Sequence, residues 1–273
     1  MLLLLAIGCG GRNEASPIEH GEAMQPTFDC ANPIAGLDAH IAPGRLLWFG
    51  EMHGTEESPR FVGDVACQAA RSGRVQLGLE IWGDEQARIA AYVRSDGTAA
   101  DRAALLDGPF WVQHDGRSSH AMVALLERVR LLRRDGASID VVAYDVPYAL
   151  DRDKAMADSI QNMRDAKAVF VGLSGNIHSR RTTGTPWNRD LVPTIAHLVA
   201  RNLPVATFDV SSDGGMMWAC MSTENHDAVC GEHPNRKGSV PGTPWTLGPA
   251  RDDTHDGVYF VGPTKATAPA RDR

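Results

Sequence analysis

Leu46-Leu47-Trp48-Phe49-Gly50-Glu51-Met52-His53-Gly54 passes from four consecutive apolar residues into a polar turn, and a helix signal follows within a few positions. An apolar run without alternation reads as a strand covered on both faces, the kind found in parallel sheets. Ser58 and Pro59 then supply an N-cap and a proline suited to the first helical position, and Phe61, Val62, Val65 and Ala69 recur on one face. The same alternation repeats downstream. Apolar runs at 75–79, 139–144, 168–173 and 205–208 read as strands, and helical patterns cover 84–94, 118–134, 152–165 and 190–201. Met122, Leu125, Leu126, Val129 and Leu132 form a single stripe in the second of these helices, which marks a core face. The reading is an α/β fold with a mostly parallel central sheet and helices on both faces. It forms one domain over 37–265 with an irregular C-terminal extension beyond residue 210, a last strand at 258–261 and a disordered tail over 266–273.

The 273 residues are 43% hydrophobic and 22% charged, ordinary for a globular protein. Twenty-seven basic residues against thirty-four acidic ones give a net charge of -7 with no basic block, which excludes the usual nucleic-acid surface. Arg128, Arg130, Arg133 and Arg134 fall on an amphipathic helix and read as a solvated face. The apolar start, residues 1–7, is too short to span a bilayer. Followed by Gly8-Cys9, it resembles a bacterial lipoprotein signal, which implies a signal over 1–8, lipidation of Cys9, a tether over 9–36 and a place facing the periplasm in the cell envelope. Membrane contact is then through the lipid anchor alone. Four further cysteines, Cys30, Cys67, Cys220 and Cys230, allow three pairings. The closeness of Cys220 to Cys230 favours that bridge and leaves Cys30 with Cys67.

Each strand of this reading ends in a polar or ionisable group: Glu51 and His53 after the first, Glu80 after the second, Asp145 after the third, His178 after the fourth and Asp209 after the fifth. Loops at the carboxyl ends of parallel strands converge, so these groups are aimed at one crevice. Glu51, His53, Glu80 and His178 are the candidate catalytic residues. Two imidazoles and two carboxylates can hold a divalent metal with a position open for water, so the same four are the candidate metal ligands. Without a metal, a histidine beside a carboxylate can serve as general base. The residue types alone leave both schemes open. Asp145 and Asp209 are read as orienting the imidazoles, and Arg117, Arg180 and Arg181 as binding substrate. Gly172-Leu173-Ser174-Gly175-Asn176 departs from a nucleophile elbow at Asn176.

Gly50-Glu51-Met52-His53-Gly54-Thr55-Glu56, the strand-end Glu80 and Gly175-Asn176-Ile177-His178 resemble the paired GxxH motifs and intervening glutamate of the erythromycin esterase, TIKI, TraB and ChaN-like superfamily. The resemblance spans about 45–209. It implies an α/β core with a site built from Glu51, His53, Glu80 and His178, and a hydrolase acting on ester or peptide bonds of a small molecule or peptide, with a divalent metal. The ChaN-like branch implies the alternative of a haem-binding iron-uptake lipoprotein without turnover, for which Tyr144 and Tyr148 are conceivable ligands. One residue fewer separates Glu51 from His53 than in the erythromycin esterases, and Thr55, Glu56 and Glu57 stand where ChaN-like proteins often carry further histidines.

Overall fold

β1 (Leu46–Glu51) lies in the middle of a seven-stranded sheet, and the computed structural model describes the chain around it over residues 28–30, 33–222, 228–238 and 240–271. Its neighbours are β4 (Val169–Gly175) and β5 (Val205–Ser211), both parallel to it. β2 (Val75–Trp82) pairs with β4 and β3 (Ile139–Asp145) with β2, again in parallel. On the other side, β9 (Gly257–Phe260) continues the parallel set and β8 (Thr246–Pro249) closes the edge antiparallel. The order β3-β2-β4-β1-β5-β9-β8 therefore brings the carboxyl ends of β1, β2 and β4 side by side.

Period-two alternation divides the strand residues between two cores. Leu47 and Phe49 join the larger core under α1 (Glu57–Ala70) and α4 (His120–Arg134). Leu46 and Trp48 join the smaller one, under α5 (Arg152–Met163) and α6 (Thr194–Ala200). Two glycines make the smaller core possible: a Cβ on Gly172 would lie 2.2 Å from the Trp48 ring, and one on Gly78 would lie 2.4 Å from the Phe170 ring. α2 (Gln86–Tyr92) and α3 (Ala99–Leu106) extend the first helical layer. α3 was not expected from apolar periodicity. It is set locally, by a capping box between Thr98 and Asp101.

The structure corrects three boundaries. The extension beyond residue 210 is not irregular throughout, because β6 (Asp213–Ser222) and β7 (Ala228–Lys237) form an antiparallel ribbon with Cys220 opposite Cys230 in a disulfide. The tail is ordered to residue 271: the Thr267 amide donates to Gly54 O, Ala268 O accepts from the His120 amide, and the Ala270 amide donates to Ser118 O. The first ties the tail to the loop after β1 and the other two satisfy backbone groups at the start of α4, which explains why a polar, proline-containing segment holds its place. The last part of the expected tether belongs to the domain, since Phe28, Cys30 and Ile34 are buried and Cys30 is bonded to Cys67 of α1. Both disulfides match the pairing favoured by the sequence. Cys9, the signal over 1–8 and the tether up to residue 27 lie outside the described residues. No helix among the described residues is long and apolar enough to cross a membrane.

Candidate functional site

Glu80 is the hub of the site. β2 advances three residues from Leu79 to Trp82 while β3 advances two, and this bulge sets Glu80 at the strand end. There its Oε2 accepts the Gly175 amide at 2.8 Å, its Oε1 accepts Arg152 Nη2 at 2.6 Å, and Arg117 Nη1 lies 3.2 Å from the same oxygen. Asp145, at the end of β3, takes the same two guanidinium groups, from Arg117 Nη1 at 2.9 Å and from Arg152 Nε and Nη2 at 2.8 Å each. Burial opposes ionisation of Glu80, but His53, Arg117 and Arg152 outweigh it and hold its carboxyl well below the usual range. The cluster is thus two buried carboxylates clamped by two arginines.

The two imidazoles flank this clamp. His53 Nδ1 lies 2.9 Å from Glu51 Oε1, and its Nε2 faces Glu80 Oε2 at 3.6 Å. His178 Nδ1 lies 2.7 Å from Asp153 Oδ1, and its Nε2 is 3.1 Å from Arg152 Nη1 and 4.0 Å from Glu80 Oε1. A guanidinium can only donate, so His178 Nε2 accepts and Nδ1 carries the hydrogen donated to Asp153. Asp153 Oδ1 also accepts from the Thr194 amide and hydroxyl, each at 2.7 Å. For His53, burial disfavours the charged ring, yet Glu80 and Glu51 overcome it and raise its pKa. Burial in turn pushes the Glu51 carboxyl up, with His53 offsetting part of the effect. Gly175 is required here, because a Cβ would lie 2.9 Å from His53 Nε2.

Glu51, His53, Glu80 and His178 therefore come together as the sequence reading has them. The supporting groups differ. Asp145 holds arginines rather than an imidazole, and Asp209 contacts neither ring: its Oδ1 is buried without a hydrogen-bond partner and burial raises its pKa to about 6, Arg251 opposing. The orienting partners are Glu51 for His53 and Asp153 for His178. Arg117 lies inside the site, braced by Asp115. Arg180 donates to Gly184 O and Arg181 pairs with Asp256, so both tie down the loop after β4. Ser174 is buried and accepts Trp48 Nε1, which leaves it no place as a nucleophile. Sequence reasoning missed Arg152 and Asp153, read only as the start of a helix. The signal was an arginine in the first turn of a helix, where the dipole disfavours a cation, seven residues after the strand-end Asp145.

The donor set does not suit a divalent ion. Both oxygens of Glu80 are engaged, His178 Nε2 accepts from Arg152, and two guanidinium charges already stand against the carboxylates a metal would need. Among the described residues no group of three or more histidine, cysteine, aspartate and glutamate side chains is arranged to hold a metal. Of the two tyrosines named as conceivable haem ligands, Tyr144 is occupied, its hydroxyl buried and donating to Leu173 O, while Tyr148 is exposed. What the arrangement offers is an acid–base site: an imidazole with a fixed tautomer, carboxylates behind it and cations beside it.

No protein-family model matches the sequence, and no curated protein does either. Solved structures match by shape. A Bacillus cereus protein superposes with a TM-score of 0.59 at 11% identity, over 90% of this chain and 96% of that one. A succinoglycan biosynthesis protein gives 0.60 at 10% identity, over 89% and 95%. An erythromycin esterase variant in its open conformation gives 0.59 at 11% identity, over 84% and 93%. At such identity the likeness is one of architecture: this chain shares the α/β fold of these structures.

Proposed function

We propose that the protein is an exported hydrolase of ester or amide bonds in which His53, not a metal, activates water. The observation carrying this reading is the pairing of both imidazoles through Nδ1 with buried carboxylates while both Nε2 atoms face one Glu80–arginine cluster. In the proposed reaction a water molecule gives its proton to His53 Nε2 as its oxygen bonds to the substrate carbonyl carbon. Glu51 and Glu80 stabilise the imidazolium formed. The partly exposed Arg152, next to His178, is the cation placed to stabilise the oxyanion of the tetrahedral intermediate. When that intermediate collapses, the bond to the leaving oxygen or nitrogen breaks and the leaving group takes the proton from His53. The fold shared with an erythromycin esterase supports a hydrolase, and the two disulfides support an oxidising compartment. A lipid anchor at Cys9 completes the proposal.

The test is hydrolysis of p-nitrophenyl acetate by the protein after exhaustive chelation. Retained activity that falls at least 100-fold in His53→Ala supports the reading. Loss of activity on chelation with recovery on adding a metal, or full activity in His53→Ala, rejects it.

A further inference from the structure

The ribbon of β6 and β7 is separate from the seven-stranded sheet, yet one of its residues reaches both loops that carry the site. The Trp218 amide donates to Gly54 O at 2.8 Å, and the Trp218 indole Nε1 donates to His114 O at 3.0 Å. His53 directly precedes Gly54, and Arg117 directly follows Gly116 in the loop that begins at His114. The loop after β1 and the loop leading into α4 are therefore fastened to a single residue. Trp218 itself is placed by the ribbon, where it stands opposite Glu232, two residues before the Cys220–Cys230 bridge.

Three backbones meet closely at this junction. A Cβ on Gly54 would collide with Trp218 O, and one on Gly116 would lie 2.8 Å from Trp218 O and 2.9 Å from the Gly54 nitrogen. Both glycines also have positive φ, 80° and 93°, so the contact depends on residues without a side chain. Gly54 O accepts the Thr267 amide as well, at 3.0 Å, which grips the loop after β1 from a second side. Beyond the junction, Arg117 is braced by Asp115 and reaches Glu80 and Asp145. Nothing else in the ribbon contacts both loops among the hydrogen bonds of the described residues.

We propose that Trp218 is a positioning residue of the site: by joining Gly54 O to His114 O it holds His53 and Arg117 in register on either side of Glu80. This rests on the hydrolase reading, and the experiment separates the two. Trp218→Phe keeps an aromatic ring on the ribbon and removes only the indole N–H, so the fold is retained. Hydrolysis of p-nitrophenyl acetate is compared for the wild type, Trp218→Phe, Arg117→Gln and the double variant, with Val229→Ser, an exposed ribbon position, as control. Exchange of the Arg117 Nε–H with solvent is followed by NMR in the wild type and Trp218→Phe.

The proposal expects kcat to fall about tenfold in Trp218→Phe with KM within about twofold, and Val229→Ser to match the wild type. Adding Trp218→Phe to Arg117→Gln should cost less than about threefold more, because the two act through one arrangement. The Arg117 Nε–H should exchange at least about tenfold faster in Trp218→Phe. An unchanged kcat, a loss that multiplies in full in the double variant, an equal loss in Val229→Ser, or an unchanged exchange rate each overturns the positioning role and leaves the hydrolase standing. If the wild type cleaves no ester the hydrolase reading fails and exchange alone decides: faster exchange in Trp218→Phe upholds the positioning of Arg117, and an equal rate overturns it.

Discussion

Replacing Arg152 by methionine removes one jaw of the clamp and should cost the fold about 3 kcal/mol at neutral pH. In the native protein Arg152 gives two hydrogen bonds to Asp145 and one to Glu80, and these carboxylates are 1% and 4% exposed. Deleting one partner of a buried ion pair typically costs about 3–5 kcal/mol, because the other charge stays desolvated. Arg117 remains in contact with both carboxylates and the Arg152 side chain is 27% exposed, so the lower end applies. The pH dependence has a definite sign. A carboxyl held below its unfolded pKa contributes stability above that pKa, near 4.5, and loses it as pH falls toward the folded value. Without Arg152 the Glu80 carboxyl moves back toward the ordinary range, so the deficit of the variant is largest at pH 7.5 and narrows by about 0.4 kcal/mol at pH 4.5. Urea unfolding at the two pH values measures this, and Glu80→Gln added to Arg152→Met should restore part of the loss. A deficit below about 1 kcal/mol at pH 7.5, or one that widens on acidification, would refute the reasoning.

Other consequences follow from single contacts. Gly175→Ala sets a methyl 2.9 Å from His53 Nε2, so kcat for ester cleavage should drop about 100-fold while the urea midpoint changes little. Replacing both Cys30 and Cys67 by serine opens a link over a separation of 37 residues and should lower stability by about 4 kcal/mol in calorimetry or urea unfolding. His255 is buried beside the Arg180 charge, and burial first, then that charge, lower its pKa to about 4. Since the unfolded ring takes up its proton near 6.5, stability falls as pH drops from 6.5 toward 4, by up to about 3 kcal/mol. His255→Gln should flatten that part of the stability curve.

The parallel sheet was legible because its central strands are apolar runs and Glu51, Glu80, Asp145 and His178 lie at or close to the ends of β1, β2, β3 and β4. That placement also made Glu51, His53, Glu80 and His178 readable as one group, since adjacency of β1, β2 and β4 follows from the topology. Asp153 and Arg152 were hidden because a helix start explains an acidic–basic pair equally well, and only the tertiary contact with His178 gives them a second role. Asp209 misled for the opposite reason. It lies within β5 beside Gly50, where its neighbours in space are Arg251, Asp252 and Arg180, which no local pattern reveals. The ribbon of β6 and β7 escaped notice because its strands mix glycine, methionine and charge, and its partners are a disulfide and backbone contacts such as the Trp218 amide on Gly54 O.

Nitrogen NMR of the histidine rings reads the proton positions on which the proposed acid–base chemistry depends. In chelated protein at neutral pH, the account predicts that His178 Nε2 gives the signal of an unprotonated acceptor with the hydrogen on Nδ1, and that His53 gains its second proton above the usual imidazole pKa. His178 protonated at Nε2 with Nδ1 bare, or a His53 that titrates below 6.5 and is unmoved by Glu80→Gln, would contradict it.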